Sequence, residues 1–403
     1  MMADHAAPAA IRPEQVTLPA GSLLARLPVV GAGLCGLGLV LALALRSSNP
    51  RGFAFAWLNA YLFCLTLALG GLFFLLIQRA TQAGWSIAVR RPVEAVVGAL
   101  PLFALLFIPV WLGMGELYPW SLPAAAHDPL LKWKSPYLNT SFFLLRAVIY
   151  FVLWSALALY YTRASRSQDH GAGNAPTLAM RRFAPPAILL LGITQTFAAI
   201  DWAMSLSPKW YSTMWGVYFF AGAFVGFFGL LLLLVIPLQR GALHGIVTIE
   251  HVHDTGKHLF AFTCFWAYIA FCQFFLIWYG NIPEETAYYQ VRIHGGWKTI
   301  SAVLAIGHFI IPFFYLMGRT VKRRPALLAI GAAWILLMHL LDIAWIVLPS
   351  SHPEGLTIGA QEIACYLAVG GAFLAAIGWN LKRQALVPTG DPRLRESLAF
   401  EVS

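Results

Sequence analysis

Ten stretches of about twenty consecutive, mostly apolar residues divide this chain, near 26–45, 53–78, 93–113, 139–162, 183–204, 212–236, 257–280, 297–317, 326–348 and 358–381. A helix rising 1.5 Å per residue needs about 20 such residues to cross a hydrocarbon core roughly 30 Å thick. The runs are continuous and lack the two-residue alternation of membrane barrel strands. The expectation is therefore an all-α, polytopic bundle of about ten transmembrane helices.

Composition agrees. Charged residues make up 11% of the chain and the mean hydropathy is +0.70, against roughly 25% charged residues in soluble domains. Fifteen Trp and fourteen Tyr suit the interfacial belts of a bilayer. The five cysteines, Cys35, Cys64, Cys264, Cys272 and Cys365, all lie in apolar runs without a C-x-x-C pair and read as small buried hydrophobes.

The net charge of +10 would suggest nucleic acid, but the cations sit in short loops and sort by side. Nineteen Lys and Arg fall with the two termini and the loops on their side, seven fall on the other side, and Arg146 lies inside a run. The positive-inside rule makes the first side cytoplasmic. This divides the chain into an N-terminal cytoplasmic tail over 1–25, a ten-helix domain over 26–381 and a C-terminal cytoplasmic tail over 382–403. No cleavable leader is expected, because the first apolar run is long enough to remain in the membrane. The outer loop 114–138 carries Pro119, Pro123, Pro129 and Pro136, so it cannot be one helix. It reads equally as a docking surface or a connector.

Ionisable groups inside hydrocarbon cost at least about 2.5–3.5 kcal/mol on insertion scales, so function is sought there. His308 falls near mid-membrane in the eighth run. His339 and Asp342, three residues apart in the ninth, share a helix face. They fit a proton relay, a quinol contact or a structural pair. Asp201 closes the fifth run, and Arg146 in the fourth is a counter-ion for Asp201 or for Asp342. At the inner face Glu94, His253, Asp254 and His258 form an acidic, histidine-rich group suited to passing protons, unless Asp254 merely caps its helix. Gly222 and Gly226 form a G-x-x-x-G continued by Gly229, a packing signal. P-loop, dinucleotide and H-E-x-x-H motifs are absent. His308 and His339 could hold a haem from two helices, but the paired histidines of haem-bearing bundles cannot be assembled.

Several linked segments resemble the F subunit of bacterial alternative complex III, a quinol:cytochrome c oxidoreductase. They are DWAMSLSPKWYSTMWGVYFFAG over 201–222, HDTGKHLFAFT over 253–263 and FWAYIAF over 265–271, then FLIWYGNIPEET over 275–286, HFIIPFF over 308–314 and DPRLRESL over 391–398. The likeness is densest over 197–325 and weak before residue 90.

The resemblance implies kinship with the polysulfide-reductase membrane anchors: two four-helix bundles plus two flanking helices, without haem or iron–sulfur in this chain. It implies quinone or menaquinone as ligand, a bacterial inner-membrane location and a role in quinone binding, proton conduction or support. The implied partners are a multihaem cytochrome c, an iron–sulfur protein, a related C-type membrane subunit, smaller lipoprotein subunits, lipids and a terminal oxidase, with no nucleic acid. Two other readings stay open: a secondary transporter using the same His and Asp groups, and a purely structural subunit. Pro312 is a possible helix break for a transporter, but no matching break is visible in the other half.

Overall fold

A computed structural model of the chain describes residues 16–171 and 173–401. Among them, ten helices are long and apolar enough to cross a membrane, one for each expected run. They are termed spans 1–10: Leu23–Arg46, Pro50–Ala80, Trp85–Leu112, Thr140–Gln168, Ala175–Leu206, Trp215–Arg240, Ile249–Gly280, Gly295–Met317, Pro325–Ser350 and Ala360–Lys382. The chain is thus an all-α, multi-pass membrane protein.

The spans assort as two like bundles. In the first, span 2 packs on spans 3 and 5, and span 4 packs on the same two. In the second, span 6 packs on spans 7 and 9, and span 8 packs on those two. Spans 2 and 6 meet between the bundles and are buried over most of their length. They approach closely at Gly70, where a Cβ would stand 2.4 Å from the Ala223 carbonyl oxygen. Span 10 lies on spans 2 and 3, and span 1 runs along span 10.

That outer pair is joined by glycines. A Cβ at Gly38 would stand 2.2 Å from the Ala368 nitrogen, and one at Gly371 would stand 2.5 Å from the Cys35 nitrogen. Small residues let backbones touch where lipid gives no hydrophobic drive for association.

Several elements depart from the sequence expectation. Span 3 is not one helix: Arg90–Val97 gives way to tight turns, then Leu102–Leu106 and Ile108–Leu112. Pro101 and Pro109 lack an N–H, and neighbouring spans supply side-chain donors to carbonyls of the broken stretch. Asn380 donates to Ala95 O (3.0 Å), Trp57 to Leu106 O (2.9 Å) and Tyr61 to Phe103 O (3.4 Å). Span 8 contains a π-helical turn, Ala305–Ile310, just before Pro312. Pro312 cannot donate to the His308 carbonyl one turn back, and Trp334 Nε1 supplies a donor to Gly307 O at 2.7 Å. Span 7 begins at Ile249, eight residues before the expected start, because Thr248 and His251 form a capping box. Asp254 is therefore inside the helix rather than its cap.

The first and last described segments are joined where Leu386 N donates to Val16 O at 2.8 Å. Of the expected N-terminal tail, residues 1–15 lie outside the described residues. The C-terminal segment is no free tail. Leu386, Val387, Leu394 and Ser397 are buried, and Ser397 Oγ donates to Trp85 O and accepts from Ala88 N. Loop 114–138 folds as short helical turns between its prolines, as expected.

Candidate functional site in the second bundle

Asp342 sits five residues before the end of its helix and is 1% exposed. It accepts from the Tyr218 hydroxyl of span 6 and from Trp266 Nε1 of span 7 at 3.0 Å. No cation pairs with it among the described residues. Both donors are neutral, and the phenol can reverse its role and accept from a protonated carboxyl, so either protonation state of Asp342 finds a partner.

Trp266 links this acid to a histidine. Its indole stacks on the His308 imidazole, centroids 3.9 Å apart and planes 29° from parallel. His308 is carried on the π-helical turn of span 8 and is fully buried. Neither ring nitrogen has a hydrogen-bond partner among the described residues. Such turns occur frequently at functional sites, because the extra residue re-aims a side chain.

His339 lies one turn before Asp342, also fully buried. Its Nε2 is 2.9 Å from Thr66 Oγ1 of span 2. The Thr66 hydroxyl donates to Phe63 O at 2.7 Å, so its oxygen is left to accept and His339 Nε2 carries the proton. His339 Nδ1 is then a bare acceptor, without partner among the described residues. The glycine face of span 6 makes room for this pair. A Cβ at Gly222 would stand 3.2 Å from His339 Cε1 and 3.5 Å from Asp342 Oδ2, and one at Gly226 would stand 2.6 Å from His339 Cδ2.

Arg146 and Asp201 form a separate unit in the first bundle. Arg146 Nε and Nη2 each lie 2.8 Å from an Asp201 oxygen, and Tyr150 donates to Oδ2 at 2.8 Å. The guanidinium also bonds Tyr137 O at 3.0 Å and faces the Tyr137 ring at 3.9 Å. This is a saturated ion pair. Arg146 is not the counter-ion of Asp342.

The four candidates expected at the inner face do not form one group. Glu94 is fully buried and held by Arg91 at 2.6 Å, and Arg91 also bonds Asp169. Asp254 pairs with Lys257, three residues on. His258 binds Asp254 O at 2.8 Å and stacks on Trp85 at 5.3 Å. His253 is buried with Nδ1 unpartnered among the described residues. No hydrogen bond or ion pair joins Glu94 to a histidine among the described residues.

Sequence reasoning missed Tyr218, Trp266 and Thr66. Tyr218 had a signal: it precedes Gly222 and Gly226 by one and two helical turns and shares their face. It also missed Arg292, counted only as an outer charge. Arg292 is 3% exposed and bonds the carbonyls of Tyr288, Trp345 and Ile346 at 2.9–3.2 Å, closing the end of span 9.

Among the described residues no three His, Cys, Asp or Glu side chains gather as a metal site. No family model matches the chain, and no curated protein matches it.

Proposed function

We propose that this chain is a non-haem membrane subunit of a quinol-oxidising respiratory complex of the alternative complex III type. In this reading His308, His339 and Asp342 accept or relay the protons that quinol oxidation releases. The observation that carries it is the second-bundle constellation: three fully buried ionisable side chains, an acid held only by neutral donors, and three imidazole nitrogens without partners. A structural cluster would be saturated, as Arg146 and Asp201 are. Support also comes from the segments over 201–222, 253–271 and 308–314, which carry both the resemblance and Asp201, Tyr218, Trp266 and His308.

A quinol loses two protons and two electrons as it becomes a quinone. The protons pass to a neutral imidazole nitrogen or to Asp342, by general-base logic. The electrons pass to the cytochrome and iron–sulfur partners. The membrane is the bacterial inner membrane, with both termini cytoplasmic. A transporter built from two inverted five-span halves fits less well. The bundle 2–5 and the bundle 6–9 repeat the same ring of contacts in the same order, and among the described residues spans 7 and 10 form no packed interface.

The test is isolation of a tagged chain in mild detergent with a reduced-minus-oxidised visible spectrum. A c-type haem spectrum with co-purifying multihaem and iron–sulfur subunits supports the complex. A colourless chain isolated alone and intact overturns it in favour of a transporter.

A further inference from the structure

A second concentration of charge lies where the C-terminal segment docks, away from the second-bundle site. A cavity of about 250 Å³ opens there between the last turn of span 2, the start of span 3, the first two turns of span 5 and residues 391–393. Four arginines line it, Arg79, Arg90, Arg181 and Arg393, against one carboxylate, Asp391.

The carboxylate is already shared. Arg90 bonds Asp391 Oδ2, and Arg79 Nη1 lies 3.5 Å from the same oxygen. Arg393 is taken up by Glu396 and the Gln82 carbonyl. Arg79 is left incomplete. It is 5% exposed, yet its Nε and Nη2 have no hydrogen-bond partner among the described residues. A buried guanidinium with two donors unmet is costly, and an anion in the cavity meets both needs. Arg181 is exposed at the rim and forms no ion pair among the described residues.

The helix of span 5 adds to this. It starts at Ala175 after Asn174, whose side chain does not cap it, and Thr177 in its first turn lines the cavity. The positive end of the dipole of this 28-residue helix favours negative charge. Leu178 forms an exposed apolar rim. The volume falls below the roughly 300–1,000 Å³ of whole-ligand pockets, so it suits a headgroup.

We propose that this cavity binds a phosphate-bearing anion, either the headgroup of an anionic phospholipid or free phosphate, with Arg79 and Arg181 as its principal ligands. Basic pockets between helices on the cytoplasmic side are a recognised form of lipid headgroup site.

The test uses the full chain in phosphatidylcholine nanodiscs. The thermal unfolding midpoint is followed against phosphatidylglycerol fraction and, separately, against inorganic phosphate at ionic strength matched with potassium chloride. A saturable rise is expected, because a ligand of the folded state alone stabilises it. Arg181→Gln should raise the half-saturation point about tenfold, the loss of one charge-assisted contact. Arg182→Gln, next along the helix but outside the cavity, should leave it unchanged. Saturation with phosphatidylglycerol alone assigns a lipid headgroup, and saturation with phosphate assigns the free anion. Either supports the site. No saturable rise, or equal behaviour of the two variants, overturns it. Arg79→Gln should abolish saturation; if it fails to fold, Arg181→Gln decides.

Discussion

His339 of span 9 and Thr66 of span 2 meet through a 2.9 Å hydrogen bond that crosses from the second bundle to the first. The Thr66 proton goes to Phe63 O, which fixes the imidazole tautomer. Thr66→Val keeps the shape and removes the acceptor, leaving a buried N–H unpaired. The expected loss of stability is about 1–3 kcal/mol, read from thermal or denaturant unfolding in detergent. An unchanged midpoint would mean that the two bundles are not tied at this point.

Tyr218 should matter to proton handling more than to folding. Tyr218→Phe removes one of the two donors to Asp342 and keeps the ring in its packing. Under the proposed function, Tyr218→Phe, Asp342→Asn and His308→Ala each lower quinol oxidation or its proton coupling in complexes that still assemble. A loss of about 10²–10⁴-fold is the range for a positioned acid or base, with Tyr218→Phe at or below its lower edge. Wild-type turnover and coupling in assembled mutant complexes would remove these residues from the mechanism.

Arg146 and Asp201 should behave in the opposite way. Removing one partner strands a buried charge, so Arg146→Met is expected to cost about 3–5 kcal/mol and to deplete folded protein. The double variant Arg146→Met, Asp201→Leu removes both charges and should recover much of that loss. Folded yield by size-exclusion chromatography checks it. A double variant as poor as the single one would show that the residues act independently.

How much of this was legible in sequence follows from what sets each feature. A bilayer dictates the length and polarity of each span, so ten runs became ten helices. It does not dictate where a proline breaks one. Helices run on through Pro28 and Pro237, but not past Pro101. At the break in span 3, Asn380, far along the chain, supplies a donor to Ala95 O. His308, His339 and Asp342 stood out because ionisable groups are rare in hydrocarbon. Tyr218 and Trp266 did not, because most such residues in a membrane chain belong to interfacial belts. Glu94 drew attention as an acid at the start of a span, but depth along a helix says nothing about which face it presents. Its partner proved to be Arg91.

The seam between spans 1 and 10 offers a test of packing. Gly31 and Gly38 face Gly371, Ala375, Ala364 and Ala368 backbone to backbone. At Gly38 a Cβ would meet backbone atoms at 2.2–2.7 Å, with no flexible side chain to yield. Gly38→Val should therefore displace span 1, costing at least about 1–3 kcal/mol as overpacking does. Gly36, with open space around its Cβ position, should tolerate the same change. Protease sensitivity of the 46–50 connection, compared between the two variants, separates them. Equal sensitivity would show that the glycines are not what holds span 1 in place.

The C-terminal segment should stay docked over a wide pH range and be released only in acid. Burial raises the Asp391 carboxyl. The Arg90 charge, the Arg393 N–H and the Arg79 charge outweigh it, leaving the group below the ordinary carboxylate range. A depressed folded pKa means that the ion pair's stabilisation is fully present above the unfolded value, about 3.9. It is lost as pH falls through the lower folded value. Between pH 5 and 8 the amides of 386–398 should therefore show constant exchange protection, once intrinsic rates are corrected. Asp391→Asn should lose that protection across the whole interval, because Arg79 and Arg90 then share no counter-charge. Protection that fades within that interval in the wild type would point instead to His251, whose Nε2 reaches Ser397 at 3.1–3.2 Å, as the group that holds the segment down.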